Sequence, residues 1–424
     1  MININKSNNN NKVFVKNTIM QYLMVVAQYV FPLITFPYLT RVLATEAYGI
    51  HTYMTSVVTY FQLFVDFGFI LSSTEQIAKN RDDKGIIQKI FSDTVLAKLI
   101  LFIVSIAALS ILIPFQPILR CYPGISYLYM GTVFFSIFTA DFLFRGLEKM
   151  EVLTYRFVAS KFVSTCMVFV FVKSSSDLFW VPILNATGSL VAVIITWIHI
   201  YKKLNIHFVL PSVKNALIQI KKSTVYFVSN IATTAFGAFT TIVMGFSLNP
   251  VQISYWGTSY NLITTVQSLY SPITNSLFPH MVGKRDVKLV RKLLMIFMPI
   301  IVIGCIICLF GANLIITIMC GSEYLGGTTT FQLLVPVLLF SFPAMVVGFP
   351  LLGTFGHTKD VTKSTVITAI YHIAGIAFLY AIGKFTIEYI AILRSSTELL
   401  LLAIRLYYCK KYKLFRSNFE RDKA

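Results

Sequence analysis

Long apolar stretches alternate with short polar ones along nearly the whole chain. Runs of spanning length are placed at about 15–43, 47–73, 91–114, 121–145, 152–172 and 178–200. After a polar interval, six more follow at about 223–247, 251–282, 293–319, 327–355, 361–383 and 385–408. A helix needs roughly 20 mainly apolar residues to cross a hydrocarbon core of about 30 Å, and each run is long enough. The pattern predicts an all-α integral membrane protein with about twelve transmembrane helices, several of them long enough to tilt or kink.

Charge is distributed unevenly among the polar intervals. If the N-terminus is cytoplasmic, 28 of the 36 Lys and Arg residues fall in the termini and in the loops on that side. Arg41, Arg120, Lys173 and Lys384 alone fall in the opposite loops, and Lys98, Lys161, Arg394 and Arg405 lie within spans. Basic loops stay on the cytoplasmic side, so both termini are expected there. The composition agrees, with 56% hydrophobic and 12% charged residues among 424. Soluble domains carry about 25% charged residues. The net charge of +19 is then a topological signal, and no nucleic-acid partner is expected. The six cysteines are scattered. Cys305 and Cys308 form a CxxC inside an apolar run, where they read as small apolar side chains, so no metal or cofactor is expected. The polar N-terminus and the long first run do not resemble a cleavable signal.

The longest polar interruption, 201–222, lies midway along the chain and is basic and amphipathic. It is expected to lie along the inner membrane surface as a cytoplasmic linker. It separates an N-terminal six-helix lobe, 1–200, from a C-terminal six-helix lobe with a short basic tail, 223–424. A weak internal echo supports two related halves: Tyr48, Thr52 and Tyr53 match Tyr255, Ser259 and Tyr260 at one constant offset.

Prolines and membrane-depth polar groups mark where function can reside. Pro32 and Pro37 are expected to interrupt the first span, and Pro272 and Pro279 the eighth; Pro336, Pro343 and Pro350 share a face of the tenth. An ionisable group at the bilayer centre costs roughly 2.5–3.5 kcal/mol on insertion scales, so each needs a reason. Asp141 and Arg145, and Arg394 and Glu398, stand four residues apart and can meet on one helix face. Lys98 can snorkel to the inner interface. Lys161 has no opposite charge on its own helix and is expected to line a water-filled cavity. His199 and His372 read as hydrogen-bonded structural residues. Asn17, Gln21 and Gln28 in the first span, Asn230, Thr233 and Thr234 in the seventh, and Asn261 and Gln267 in the eighth supply an uncharged polar lining. There is no Gly-rich phosphate loop, no cluster of metal ligands and no nucleophile elbow. The predicted outer loops are too short to carry the catalytic groups of a polysaccharide polymerase, so the chain does not read as an enzyme.

Several stretches carry a resemblance that runs the whole length. NTIMQYLMVVAQYVFPLITFPYLTRVLATEAYGIHTY near the N-terminus, DFGF at 66–69, DFLFRGLEKMEVLTYRFVASKF at 141–162, SPITNSLFPHM at 271–281 and GSEYLGG at 321–327 resemble Wzx-type polysaccharide repeat-unit flippases. The family usually shows Gln before Gly-Leu-Glu-Lys, where Arg145 stands here; the change adds a charge near the inner mouth.

The resemblance implies two six-helix lobes around a central cavity, in the multidrug/oligosaccharidyl-lipid/polysaccharide exporter superfamily. It also implies a cargo, a short O-antigen-like oligosaccharide on undecaprenyl pyrophosphate, turned from the inner to the outer leaflet of the bacterial inner membrane. A cationic cavity and coupling to a proton or cation gradient come with it, as do the polymerase and chain-length regulator as pathway partners. Basic groups facing a wet cavity would lower the cost of moving a diphosphate. Lys161 and Arg394 are the expected contacts, Arg41 and Arg120 the exit-side attractors, and Asp66 and Glu398 the coupling groups. A multidrug or metabolite antiporter of the same architecture would favour acidic cavity groups. A peptidoglycan-precursor flippase would carry additional C-terminal helices.

Overall fold

The computed structural model describes residues 2–415, with side chains described for all but 2–15, 18, 228–236 and 284. The described chain is all-helical and divides into two compact units, 1–246 and 247–424.

The first unit contains α1 (Ile2–Asp66), α2 (Phe69–Lys79), α3 (Lys84–Leu112), α4 (Pro117–Cys121), α5 (Pro123–Ile137), α6 (Asp141–Gly146), α7 (Met150–Phe171), α8 (Trp180–His199) and α9 (Val213–Met244). The second contains α10 (Pro250–Ser268), α11 (Ser271–Lys284), α12 (Val287–Phe310), α13 (Ala312–Met319), α14 (Thr328–Leu334), α15 (Pro336–Val346), α16 (Thr358–Ala381) and α17 (Ile387–Lys411). Among the described residues, eight stretches are long and apolar enough to cross a membrane, the first of them running for 61 residues from Ile19 to Lys79. Helices also occupy the remaining predicted spans, α9, α10 with α11, and α17. In α10 and α11 uncharged polar side chains lower the hydropathy, and α17 carries Glu388, Arg394, Glu398 and Arg405 along its length. Large apolar side chains face outward in every region, with Phe310 89% exposed, as a bilayer-facing surface requires. The protein is a multi-pass membrane protein.

The first span differs from expectation. Pro32 and Pro37 lie inside continuous helix, because a proline φ is helical and only one hydrogen bond is lost at each. The break comes at Ala44 instead, with φ 56° and ψ 178°. Residues with a Cβ adopt that conformation at a cost of about 1–3 kcal/mol, so the surrounding packing must hold it. A second break follows Asp66, where Phe67 and Gly68 take φ of 39° and 76° and turn the chain into α2.

Within the first unit, α7 packs along α1 and α8, and α5 packs on α8. The α7–α8 approach is close: a Cβ at Gly188 would stand 2.7 Å from the Ser160 carbonyl oxygen. Small residues at such crossings let helices associate in lipid. The 201–222 segment begins with a π-type turn at Ile200–Leu204 and continues as an extended strap. The Val209 N–H donates to Ser92 Oγ and the Ser212 N–H to Asp93 Oδ1, both at 3.0 Å. From Val213 the chain is helical and joins α2 through Ser72–Ser223, reciprocal Gln76–Gln219 and Tyr226–Glu75 hydrogen bonds.

In the second unit α17 is central and packs on α14, α15 and α16. After α15 the backbone widens into a π-type turn, Val347–Gly353, with a kink at Gly348 (ψ −117°) and Pro350 inside.

Candidate functional site

Asp66 closes α1, and Lys98 reaches it from α3, its ammonium nitrogen 2.8 Å from Asp66 Oδ1. Gln62 donates to the other carboxylate oxygen at 2.8 Å and to Ser136 Oγ at 3.0 Å. Lys98 is only 3% exposed. It therefore does not snorkel: Asp66 satisfies the ammonium where it sits, and a buried charge without such a partner would be costly.

Asp141 opens α6 just after Ala140, whose φ is 48°. Its partner is Arg156 on α7, not Arg145. The Arg156 guanidinium also donates to the Thr139 carbonyl and to Thr196 Oγ1, so three elements meet on one planar fork. Helix α6 ends at Gly146, and the turn that follows brings α7 back across Asp141. Arg145 Nε is buried and makes no hydrogen bond to a described residue.

Lys161 lies farther along α7 and is partly buried. No hydrogen bond or ion pair joins its ammonium to a described residue; its backbone carbonyl accepts from Ser164 Oγ at 3.2 Å. In this unit Lys98 and Arg156 are paired with carboxylates, while no carboxylate among the described residues pairs with Lys161.

In the second unit, Arg394 and Glu398 form the i,i+4 pair that their spacing suggests, at 2.6 Å, with 6% and 7% exposure. The Tyr260 hydroxyl on α10 also meets Arg394. His372 Nδ1 lies 3.0 Å from Thr397 Oγ1, and Ser395 donates to the Leu333 carbonyl at 2.6 Å. About two turns beyond Glu398, Arg405 donates to the Ala344 carbonyl at 2.7 Å, to Ser364 Oγ at 3.2 Å and to Thr365 Oγ1 at 3.3 Å. At 3.6 residues per turn, positions 394, 398 and 405 fall within about 40° of one another on α17. A buried polar stripe thus runs down the helix that organises the unit.

The other candidates are more open. Arg41 and Arg120 are exposed, as are Gln21, Gln28 and Asn261. The Asn230 side chain lies outside the described residues. Lys98 and Arg156 escaped the sequence reading as ion-pair partners because their acids stand on other helices. Tyr260 gave no signal beyond its place in the internal echo.

Among the described residues, no group of three or more His, Cys, Asp and Glu side chains could hold a metal ion. Among the described residues the arrangement offers three cation–carboxylate pairs with a buried cation, Lys98–Asp66, Arg156–Asp141 and Arg394–Glu398, and the ammonium of Lys161 with no carboxylate beside it.

The family model described as polysaccharide biosynthesis protein matches residues 14–283. A protein of Escherichia coli (strain K12) named "Putative O-antigen transporter" is 25% identical over 414 residues, covering 96% of this chain and 99% of the relative. One of the same name from Shigella dysenteriae is 26% identical over 370 residues, covering 84% and 91%. Among solved structures, the lipid II flippase MurJ in an inward closed conformation superimposes with a TM-score of 0.71 at 12% identity, covering 95% of this chain and 89% of that one. An inward-facing multidrug resistance MATE family transporter of the MOP superfamily gives 0.68 at 10% identity, covering 91% and 99%.

Proposed function

Because the chain belongs to the polysaccharide biosynthesis protein family and shares the fold of MOP superfamily transporters, we propose that it is a flippase for a lipid-linked oligosaccharide. Its cargo is an O-antigen-like repeat unit on undecaprenyl pyrophosphate. Transport runs from the inner to the outer leaflet of a bacterial cytoplasmic membrane, by alternating access. The polymerase and chain-length regulator of the same pathway then receive the unit.

Lys161 carries this reading. An unneutralised ammonium on an apolar helix is costly unless it meets water or an anion, and a diphosphate is the anion such a cargo supplies. The inside-negative potential favours outward movement of an anion by about 2.3 kcal/mol per charge per 100 mV. An antiporter for cationic drugs has the same architecture, but an unpaired lysine opposes its cargo.

Arg394 and Glu398 provide the coupling step. Protonation of Glu398 releases Arg394, which then contacts the diphosphate; deprotonation restores the pair and releases the anion. Asp66 is a second coupling candidate, and its proton competes with Lys98 in the same way. The test is reconstitution. Liposomes containing the purified chain and lipid-linked oligosaccharide on the inner leaflet are treated with an impermeant sugar-oxidising reagent under an imposed proton gradient. The sugar becomes accessible over time with wild-type protein and remains protected with Lys161→Ala; equal protection with both, or equal exposure, contradicts the proposal.

A further inference from the structure

Three chain segments in the first unit line an open cavity of about 450 Å³ that none of the preceding sites uses. They are the break between the two parts of α1, the start of α5 and the turn before α8. The volume falls within the roughly 300–1,000 Å³ of small-molecule sites. Ala44, Glu46, Tyr122, Ser175, Ser176 and Phe179 contribute to its wall, and aliphatic side chains such as Leu43, Ile50 and Leu178 complete it.

Two features indicate a built site. The strained backbone of Ala44 forms part of the wall, and strain of this kind persists where the surroundings enforce it. The opposite wall is fixed by a capping box in which the Asp177 carboxylate accepts from the Lys173 and Ser174 N–H groups and from Ser174 Oγ.

The chemistry of the lining selects the occupant. No basic residue lines the cavity, so it is not a phosphate site. A carboxylate and two serine hydroxyls can exchange hydrogen bonds with hydroxyl groups, and the rings of Tyr122 and Phe179 suit the C–H face of a sugar. Arg41, Arg120 and Lys173 are the three basic residues of this unit that the charge pattern assigns to the outer loops, and each is near in sequence to a lining segment, which places the cavity at the outer end of the unit.

We propose that this cavity is an exit-face carbohydrate site, which holds a neutral sugar ring of the exported unit. The proposal rests on the flippase reading for the outward direction of this end. The alternation of loops along the chain places the cavity at the end of the unit opposite the basic loops at 79–89, 145–149 and 201–222.

Cys121 is exposed and adjoins Tyr122, whereas Cys166, also exposed, lies on α7. The full-length protein in detergent is treated with a maleimide in the presence of a panel of neutral disaccharides of hexose and N-acetylhexosamine units. Labelling is followed separately at each cysteine. A binding sugar slows labelling at Cys121 by about tenfold at ten times its Kd, by mass action, and leaves Cys166 unchanged. Ser176→Trp, which fills the cavity, abolishes the protection, and Phe179→Ala weakens sugar binding about three- to tenfold. Absence of protection by every sugar overturns the proposal, as does protection that survives both substitutions. Protection by tetraethylammonium in place of sugars also overturns it and makes the cavity a cation site. The flippase reading is judged separately by the leaflet position of the lipid-linked sugar, so either can fail alone.

Discussion

Lys98 and Asp66 form an ion pair at 2.8 Å that fastens α3 to the end of α1, with the ammonium almost wholly buried. The pair lies beside the Phe67–Gly68 turn that starts α2, so it fixes the point at which the chain changes direction. The two partners are unequal, because the Asp66 side chain keeps 27% of its surface exposed and Lys98 keeps 3%. Removing the acid is therefore the harsher change. Asp66→Asn is expected to destabilise the protein by about 3 kcal/mol, since it strands a buried cation. Lys98→Met leaves a partly solvated carboxylate and is milder, and the double variant recovers much of the loss. Thermal unfolding of the detergent-solubilised protein, followed by retention on size exclusion, ranks the three.

Arg405 holds the carbonyl of Ala344 just before the kinked π-type turn, and its guanidinium lies where a Cβ at Gly348 would stand, 2.7 Å away. Gly348→Ala should displace the guanidinium and lower the melting temperature. Arg405→Lys should also lower it, because a single ammonium cannot reproduce three donors in one plane. A Gly348→Ala variant as stable as wild type would show that the turn yields freely.

Lys161 has no described partner to strand. Lys161→Ala is expected to leave the amount of folded protein in the membrane unchanged while export falls at least about tenfold, the loss of one charged contact of about 1.5–3 kcal/mol. Lys161→Arg should retain most export. Quantitative blotting alongside surface polysaccharide measurement separates the two effects. Arg394→Ala, by contrast, leaves Glu398 buried and unpaired, and should reduce folded protein as well as export.

Glu398→Gln mimics the protonated carboxyl at constant volume. If Glu398 is the coupling group, this variant should export at a rate that no longer responds to a protonophore. Retention of full wild-type sensitivity would place coupling elsewhere.

The helices were legible because membrane spans announce themselves through long apolar runs, and the Arg394–Glu398 pair because its partners share one helix face. What escaped was set by tertiary structure. Asp141 has a basic residue four positions away, yet its partner arrives from the next helix after a turn. Asp66 and Lys98 are joined only once α3 has folded back. The break in the first span falls at an alanine, which carries no breaking signal, while the two prolines that do carry one continue the helix. The cavity near Ala44 is assembled from three separate connections, each unremarkable on its own.

The central claim is tested most directly in cells lacking this protein, by asking which leaflet holds the lipid-linked oligosaccharide. Spheroplasts are probed with an impermeant sugar-binding reagent before and after permeabilisation. The flippase account predicts units hidden until permeabilisation and exposed again when a wild-type copy, but not Lys161→Ala, is restored. Units already exposed yet unpolymerised would mean that translocation proceeds without this protein, and would contradict the account.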